Sequence, residues 1–297
     1  MLKSLKEGII YRLNAFWGGV NRHFYKAPTI LDTKSSLNKI IKNKCSVARF
    51  GDGEFNLIRG QELGFQKFDE QLARSLKSVL ETPVVGLEIG LPDVFGDLSA
   101  YQDKSSCFWR AYMGKYRGEL SNLIDYDRTY LNTNMTRFWS GYKDHAVVPE
   151  IVSLYRKIWA ERDVVFIEGK FTRMGVGNDL FANCKSIKRI LCPPENAFDK
   201  YDVIMDLFRS QKISKESLII LALGPTATVL ARDLTKLHYQ ALDLGHLDVQ
   251  YEYSLRNAQG KISLIGKYVN ENVGGHTDIS DDIIDQTYLD SILYEVY

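Results

Sequence analysis

The chain has 297 residues, of which 45% are hydrophobic, 25% charged and 12% aromatic. That composition excludes wholesale disorder, a collagen-like fibre and a coiled coil. Thirty-eight Lys and Arg stand against 37 Asp and Glu, and a formal charge of +1 argues against a general nucleic-acid binder.

Residues 2–17 place Leu2, Leu5, Ile9, Leu13 and Trp17 three or four positions apart, which predicts an amphipathic helix. Residues 1–26 carry Lys3, Lys6, Arg12, Arg22 and Lys26 against Glu7 alone. The apolar positions have two possible partners, a bilayer interface or the protein itself. Core docking or a subunit contact is the expectation, because the basic residues are not densely clustered. A second helix is predicted over Leu31–Lys44. Short apolar runs then follow at Cys45–Phe50, Val84–Ile89, Thr129–Asn132, Val164–Ile167, Ile187–Cys192, Leu218–Leu223 and Ala241–Leu244. Most are continuous rather than alternating, as in strands covered on both faces. Helical stretches lie between them at about Asp69–Leu80, Phe108–Leu123, Pro149–Ala160, Asn178–Ala182, Ala197–Ser210 and Thr226–Leu237. The alternation predicts an α/β fold: one Rossmann-like, doubly wound, mainly parallel sheet with helices on both faces. Residues 1–30 form an N-terminal helical extension, and 31–297 the domain. The stretch Asp278–Tyr297 is acidic, with no Lys or Arg.

Cys45, Cys107, Cys184 and Cys192 are far apart and form no C-x-x-C pair, which excludes a disulfide framework and a zinc site. A reducing cytoplasm fits them. No run is apolar enough for a signal peptide or a membrane span.

In a doubly wound sheet, ligands bind beyond the carboxyl ends of the strands. Four such ends carry chemistry. In Ala48–Glu54, Asp52 and Glu54 are one residue apart, and in an extended segment both point to one side, where they can meet a hard divalent cation. Gly51 and Gly53 let a ligand approach the backbone, and Arg49 adds a cation. In Ile167–Leu180 a strand enters a glycine-rich loop with Gly169, Lys170, Arg173, Gly175 and Gly177, followed at Asn178 and Asp179 by a predicted helix start, a phosphate cradle in outline. It matches neither the P-loop nor the dinucleotide fingerprint, because Leu180 stands where the third glycine belongs. In Leu221–Ala227, Gly224 and Thr226 suit a helix start whose N–H groups can hold a phosphate. In Ala241–Glu252, His246, Asp248 and Glu252 are candidate acids and bases. A single His beside an Asp is more often a structural hydrogen-bond pair. Asn196, Arg137 and Trp139 follow other strands, the last two as candidates for a sugar or acceptor.

Taken together, ARFGDGE (48–54), IEGKFTRMGVGNDLF (167–181), Gly224–Ala227 and DLGHLDVQYE (243–252) resemble the GT-D type of glycosyltransferase, a bacterial family first catalogued as a domain of unknown function. The resemblance implies a Rossmann-like enzyme using a UDP-sugar and a divalent metal, usually Mn²⁺, with Mg²⁺ as the alternative. Its Asp-x-Glu motif falls on Asp52 and Glu54, and its nucleotide-side loop on Gly169–Asp179. It further implies transfer of a hexose, glucose or galactose, to a glycan, glycopeptide or lipid-linked acceptor in surface-polysaccharide or glycoprotein synthesis. Other glycosyltransferases are possible partners, as are a second copy of the chain and the inner membrane surface. Two rival readings remain at this level. An NAD(P)-dependent oxidoreductase lacks its full glycine fingerprint and leaves Asp52 and Glu54 idle. A non-catalytic nucleotide-binding subunit of a glycan assembly complex is separable only by activity.

Overall fold

The computed structural model describes residues 2–269 and 279–297, with side chains from Lys6 onward. The expectations for Asp278 and for the side chains of Lys3 and Leu5 lie outside the described residues.

The described strands in chain order are β1 (Thr29–Ile30), β2 (Ser46–Arg49), β3 (Leu87–Leu91), β4 (Thr129–Asn132), β5 (Asp163–Gly169), β6 (Ser186–Cys192), β7 (Leu218–Ala222), β8 (Gln240–Asp243) and β9 (Ile292–Glu295). They form one sheet in the order β1-β4-β3-β2-β8-β7-β5-β6-β9, with every pairing parallel. The α-helices are α1 (Leu2–Asn21), α2 (Thr33–Asn43), α3 (Asp52–Ile58), α4 (Glu70–Glu81), α5 (Asp103–Ser121), α6 (Val148–Trp159), α7 (Tyr201–Arg209), α8 (Pro225–Lys236), α9 (Leu247–Leu255) and α10 (Gln286–Ser291).

Alternation along the strands builds two cores. Ala48, Ile89, Val165, Ile167, Ile219 and Leu221 face one side, where α4, α5, α7 and α8 pack. Val47, Val164, Phe166, Leu218, Ile220 and Leu242 face the other, under α2, α6 and α9. Both faces are apolar because both are covered, which is why the strands read as continuous apolar runs. Helix starts follow local chemistry. Asp32 accepts from the Ser35 N–H at 2.8 Å to cap α2, and Asp69 accepts from the Leu72 N–H at 2.8 Å to cap α4. The doubly wound α/β expectation therefore holds.

Three local expectations do not. Asn178–Ala182 is a run of turns, not a helix. Gly175 and Gly177 take positive φ there, and the Asn178 amide is committed to Asp248 and Glu252. Asp52 and Glu54 are not in an extended segment but in the first turn of α3. The third strand starts at Leu87 rather than Val84, because Gly86 at φ +83° turns the chain and leaves Val85 outside the sheet.

Helix α1 lies against α5 at backbone contact. A Cβ on Gly18 would fall 1.9 Å from the Arg110 carbonyl oxygen, and one on Gly114 1.9 Å from that of Asn14. The expectation that Ile9, Leu13 and Trp17 dock on the core is not met, since all three are exposed. The Asn14–Gly18 face makes the contact instead.

Candidate active site

A cleft of about 330 Å³ opens at the carboxyl end of the sheet. Residues that follow β2, β4, β5, β6, β7 and β8 all line it, so the carboxyl ends of strands on both sides of the β2/β8 pair converge on one crevice, where ligands of such sheets bind.

The frame of the cleft is Arg49, the last residue of β2. Its Nε donates to the Asp243 carbonyl oxygen at 2.6 Å and its Nη2 to Asp243 Oδ1 at 2.7 Å. Nη1 donates to Thr136 Oγ1 at 2.6 Å, and Nη2 also reaches the Gly245 carbonyl oxygen at 3.2 Å. One guanidinium thus ties β2 to the ends of β8 and β4. Arg49 lines the cleft, but four hydrogen bonds already tie its guanidinium to the protein, so its main role is to hold the walls.

Asp52 and Glu54 line the same wall. Glu54 Oε2 accepts from the Gly51 N–H at 2.7 Å, so one oxygen caps the helix that carries it. Burial and the nearby Asp243 charge push the Glu54 carboxyl up to about 7, against the pull of the Gly51 N–H and Arg49. Among the described residues, no three His, Cys, Asp or Glu side chains are grouped to hold a metal. A hard cation that arrives with substrate phosphates needs only one or two protein carboxylates. Asp52 and Glu54 both line the cleft, but two positions apart on a helix they do not face each other, so each offers a carboxylate to such a cation from its own side of the first turn and the one-sided pair of an extended segment is not met.

Three helices start at the cleft. Gly51 precedes α3, Gly224 and Pro225 open α8, and His246 is the residue before α9. Helix starts of this kind suit phosphate, although Pro225 brings no N–H and Asp52, Glu54 and Asp243 line the same cleft. Gly224 has φ +54°, and a Cβ there would meet the Phe65 ring at 2.7 Å. Arg137 adds a cation, and Gly169 and Asn196 complete this part of the lining. Asn196 also anchors a cover. Its N–H donates to the Phe65 carbonyl oxygen at 2.9 Å, and its Oδ1 accepts from the Lys67 N–H at 2.8 Å. That connection holds Leu63, Phe65 and Gln66 over the cleft.

The remaining predicted residues lie outside the lining. The Lys170 ammonium sits over the Tyr297 ring, 5.0 Å from its centroid. Arg173 is buried and donates to the carbonyl oxygens of Gly266 at 2.8 Å and Ser280 at 2.7 Å, and pairs with Asp281. Asp248 accepts from the Gly175 N–H at 2.9 Å, from Asn178 Nδ2 at 2.8 Å and from Lys267 Nζ at 2.5 Å. Glu252 accepts from Asn178 Nδ2 at 2.7 Å and pairs with Arg256 and Lys267. Burial would raise the Glu252 carboxyl, but donation from Asn178 and Arg256 and the Lys267 charge outweigh it and hold it below its ordinary value. Asp248 and Glu252 are therefore buried anchors of the glycine-rich loop, not groups presented to a substrate. Gly175, Gly177 and Asn178 belong to that anchored loop, and Asp179 pairs with Arg156 at 2.8 Å and accepts from the Tyr251 hydroxyl at 2.5 Å. Thr226 is fully buried within α8. Trp139 is buried too, its indole N–H donating to the Ala258 carbonyl oxygen at 2.8 Å and its ring stacked on His145 at 3.7 Å, so it offers no face to a sugar.

Sequence reasoning missed Phe65, Trp109, Thr133 and Tyr268, which also line the cleft. Trp109 lies in the apolar pattern of α5 and looks like core from sequence. The aromatic residue Phe65 in an otherwise polar, glycine-containing connection was a usable signal.

A family model described as the glycosyltransferase GT-D fold matches residues 47–272. The chain belongs to the GT-D glycosyltransferase family. It is 34% identical over 247 residues to a probable glycosyl transferase Gly of Streptococcus gordonii, covering 82% of this chain and 36% of that one. It is 33% identical over 262 residues to a glycosyltransferase GlyD of Streptococcus pneumoniae, covering 88% of this chain and 32% of the relative. The chain thus spans about a third of the length of these curated relatives. Among solved structures, a domain of unknown function 1792 described as having a distinct glycosyltransferase fold superposes with a TM-score of 0.85 at 34% identity, covering 97% of this chain and 98% of that one. A glycosyltransferase of the same domain type from Streptococcus sanguinis gives a TM-score of 0.85 at 32% identity, covering 91% and 100%. These matches extend the GT-D fold over nearly the whole chain. No helix among the described residues is long and apolar enough to cross a membrane.

Proposed function

We propose that this GT-D glycosyltransferase moves a hexose, glucose or galactose, from a UDP-sugar to a glycan, glycopeptide or lipid-linked acceptor, in the cytoplasm, with Mn²⁺ or Mg²⁺ bound alongside the diphosphate. The observation that carries this reading is the convergence of Asp52 and Glu54 with three helix N-termini and Arg137 on one cleft.

Transfer breaks the bond between the anomeric carbon and the diphosphate, and the leaving UDP gains negative charge. The metal supplies charge neutralisation at that oxygen when bound. Asp52 and Glu54 are the residues to hold it. N–H groups left open at the starts of α3, α8 and α9 are the donors proposed for the phosphate oxygens, and being fixed in the backbone they would need little reorganisation as charge develops. Arg137 adds a charge-assisted donor. Phe65 and Leu63 add an apolar wall to the cleft. Of the three acid–base candidates, His246 alone lines the cleft, which supports it as the group that takes the acceptor hydroxyl proton if the outcome is inversion.

The test is ligand-induced stabilisation. UDP with Mn²⁺ raises the melting temperature, as any ligand specific to the folded state does, and NAD does not. A shift with NAD and none with UDP turns the assignment to the oxidoreductase reading.

A further inference from the structure

We infer that α1 is a membrane-docking helix that lays its outward apolar face on an anionic lipid surface. The observation is a helix partnered on one side only. Asn14 and Gly18 are pressed against α5, and the opposite side carries Ile9, Leu13 and Phe16 at spacings of four and three, flanked by Trp17, with Phe24 exposed in the turn that follows the helix. Leu13 is 62% exposed, Phe16 73%, Trp17 48% and Phe24 74%. A contiguous exposed apolar face of this kind marks an interaction surface, because isolated exposed apolar residues are ordinary and a row of large ones is not.

Charge selects the occupant. Lys6 and Arg12 are exposed on the same helix, and residues 1–26 hold five basic residues against the single acid Glu7. A second copy docking face to face brings these like charges together, which opposes association. An anionic lipid surface complements them. The aromatic residues Phe16, Trp17 and Phe24 suit the boundary between headgroups and acyl chains. A helix of 20 residues is about 30 Å long, but it is not apolar enough to cross the bilayer, so it lies in the interface plane. Beside its last turn a polar cavity of about 320 Å³ holds Arg22 paired with Asp97 and Lys143 paired with Asp103, and these pairs add little net charge to the basic face of α1.

The chain carries its own reporter. It has four tryptophans, and Trp109, Trp139 and Trp159 are buried, so a change in indole environment on docking comes from Trp17. The experiment mixes the full chain with vesicles of phosphatidylcholine alone or with 30% phosphatidylglycerol, at low and high salt. The expected result is co-sedimentation and blue-shifted Trp emission with the anionic vesicles only, fading as salt screens the attraction. Leu13→Ser/Phe16→Ser lowers partitioning at least about tenfold, and Lys6→Glu/Arg12→Glu abolishes the preference for anionic lipid, while both keep the parent melting temperature because the changed side chains are exposed. No binding to anionic vesicles overturns the inference, as does binding that ignores Leu13→Ser/Phe16→Ser. A parent chain that sediments as a dimer and becomes monomeric in that variant also overturns it, and gives the face to a second copy.

Discussion

Arg49 and Asp243 join the two central strands of the sheet, Nη2 to Oδ1 at 2.7 Å, at the point where β2 and β8 open into the cleft. Thr228 Oγ1 donates to the Arg49 carbonyl oxygen at 2.9 Å, so α8 is locked to the same junction. The pair is buried and saturated with hydrogen bonds, and it sets the spacing between the Asp52 wall and the His246 wall.

Removing one partner leaves a charge uncompensated in a buried place. Arg49→Met or Asp243→Leu is expected to cost about 3–5 kcal/mol of stability, read by urea unfolding. Arg49→Lys keeps the charge but loses the fork of donors, and is expected to recover only part of the loss. Wild-type stability in Arg49→Met contradicts the framing role.

Gly224 tests the cover of the cleft. Its φ of +54° and the 2.7 Å approach of the Phe65 ring both oppose a side chain. Gly224→Ala is expected to lose about 1–3 kcal/mol. The double variant with Phe65→Ala recovers the steric part but not the backbone part. Equal losses in the single and double variants show that Phe65 does not limit this position.

The loop anchor carries a pH signature. Glu252 titrates below its ordinary value of 4.5 in the folded chain. A lowered carboxyl adds stability that is fully present above the unfolded value and is lost as pH falls through the folded value. The stability gap between the parent and Glu252→Gln is therefore expected to be largest above about pH 5 and to shrink below about pH 4.5. Thermal melts across pH 3.5–7 read it directly, and a gap that widens on acidification reverses the sign argued here.

Much of this molecule was legible in its sequence, and the exceptions have physical causes. Continuous apolar runs marked the central strands because both sheet faces are covered. The two-residue β1 is too short to stand out, and β9, though apolar in composition, follows an acidic stretch and is only half-buried in alternation, unlike the central strands. Asp52 and Glu54 were visible as a pair, but their conformation was not. The Glu at the third helical position after Gly51 is a helix-start signal that the extended reading overlooked. Lys170 and Arg173 looked like phosphate ligands because a basic, glycine-rich loop after a strand usually faces the crevice. Here Arg173 turns toward Gly266, Ser280 and Asp281, a partner set far along the chain that local pattern cannot anticipate. Asp248 was in the same position, since its partner Lys267 lies outside every motif.

The most direct test of the account is turnover. The chain is incubated with a panel of UDP-sugars and Mn²⁺, and released UDP is measured for the parent, Asp52→Asn and Glu54→Gln, each with and without EDTA. The account predicts release with a UDP-hexose, a loss on the order of a hundredfold in either variant, matching about 3 kcal/mol of transition-state charge stabilisation, and a similar loss on chelation. Both variants keep the parent fold by circular dichroism. Undiminished UDP release in the two variants, or in EDTA, contradicts it.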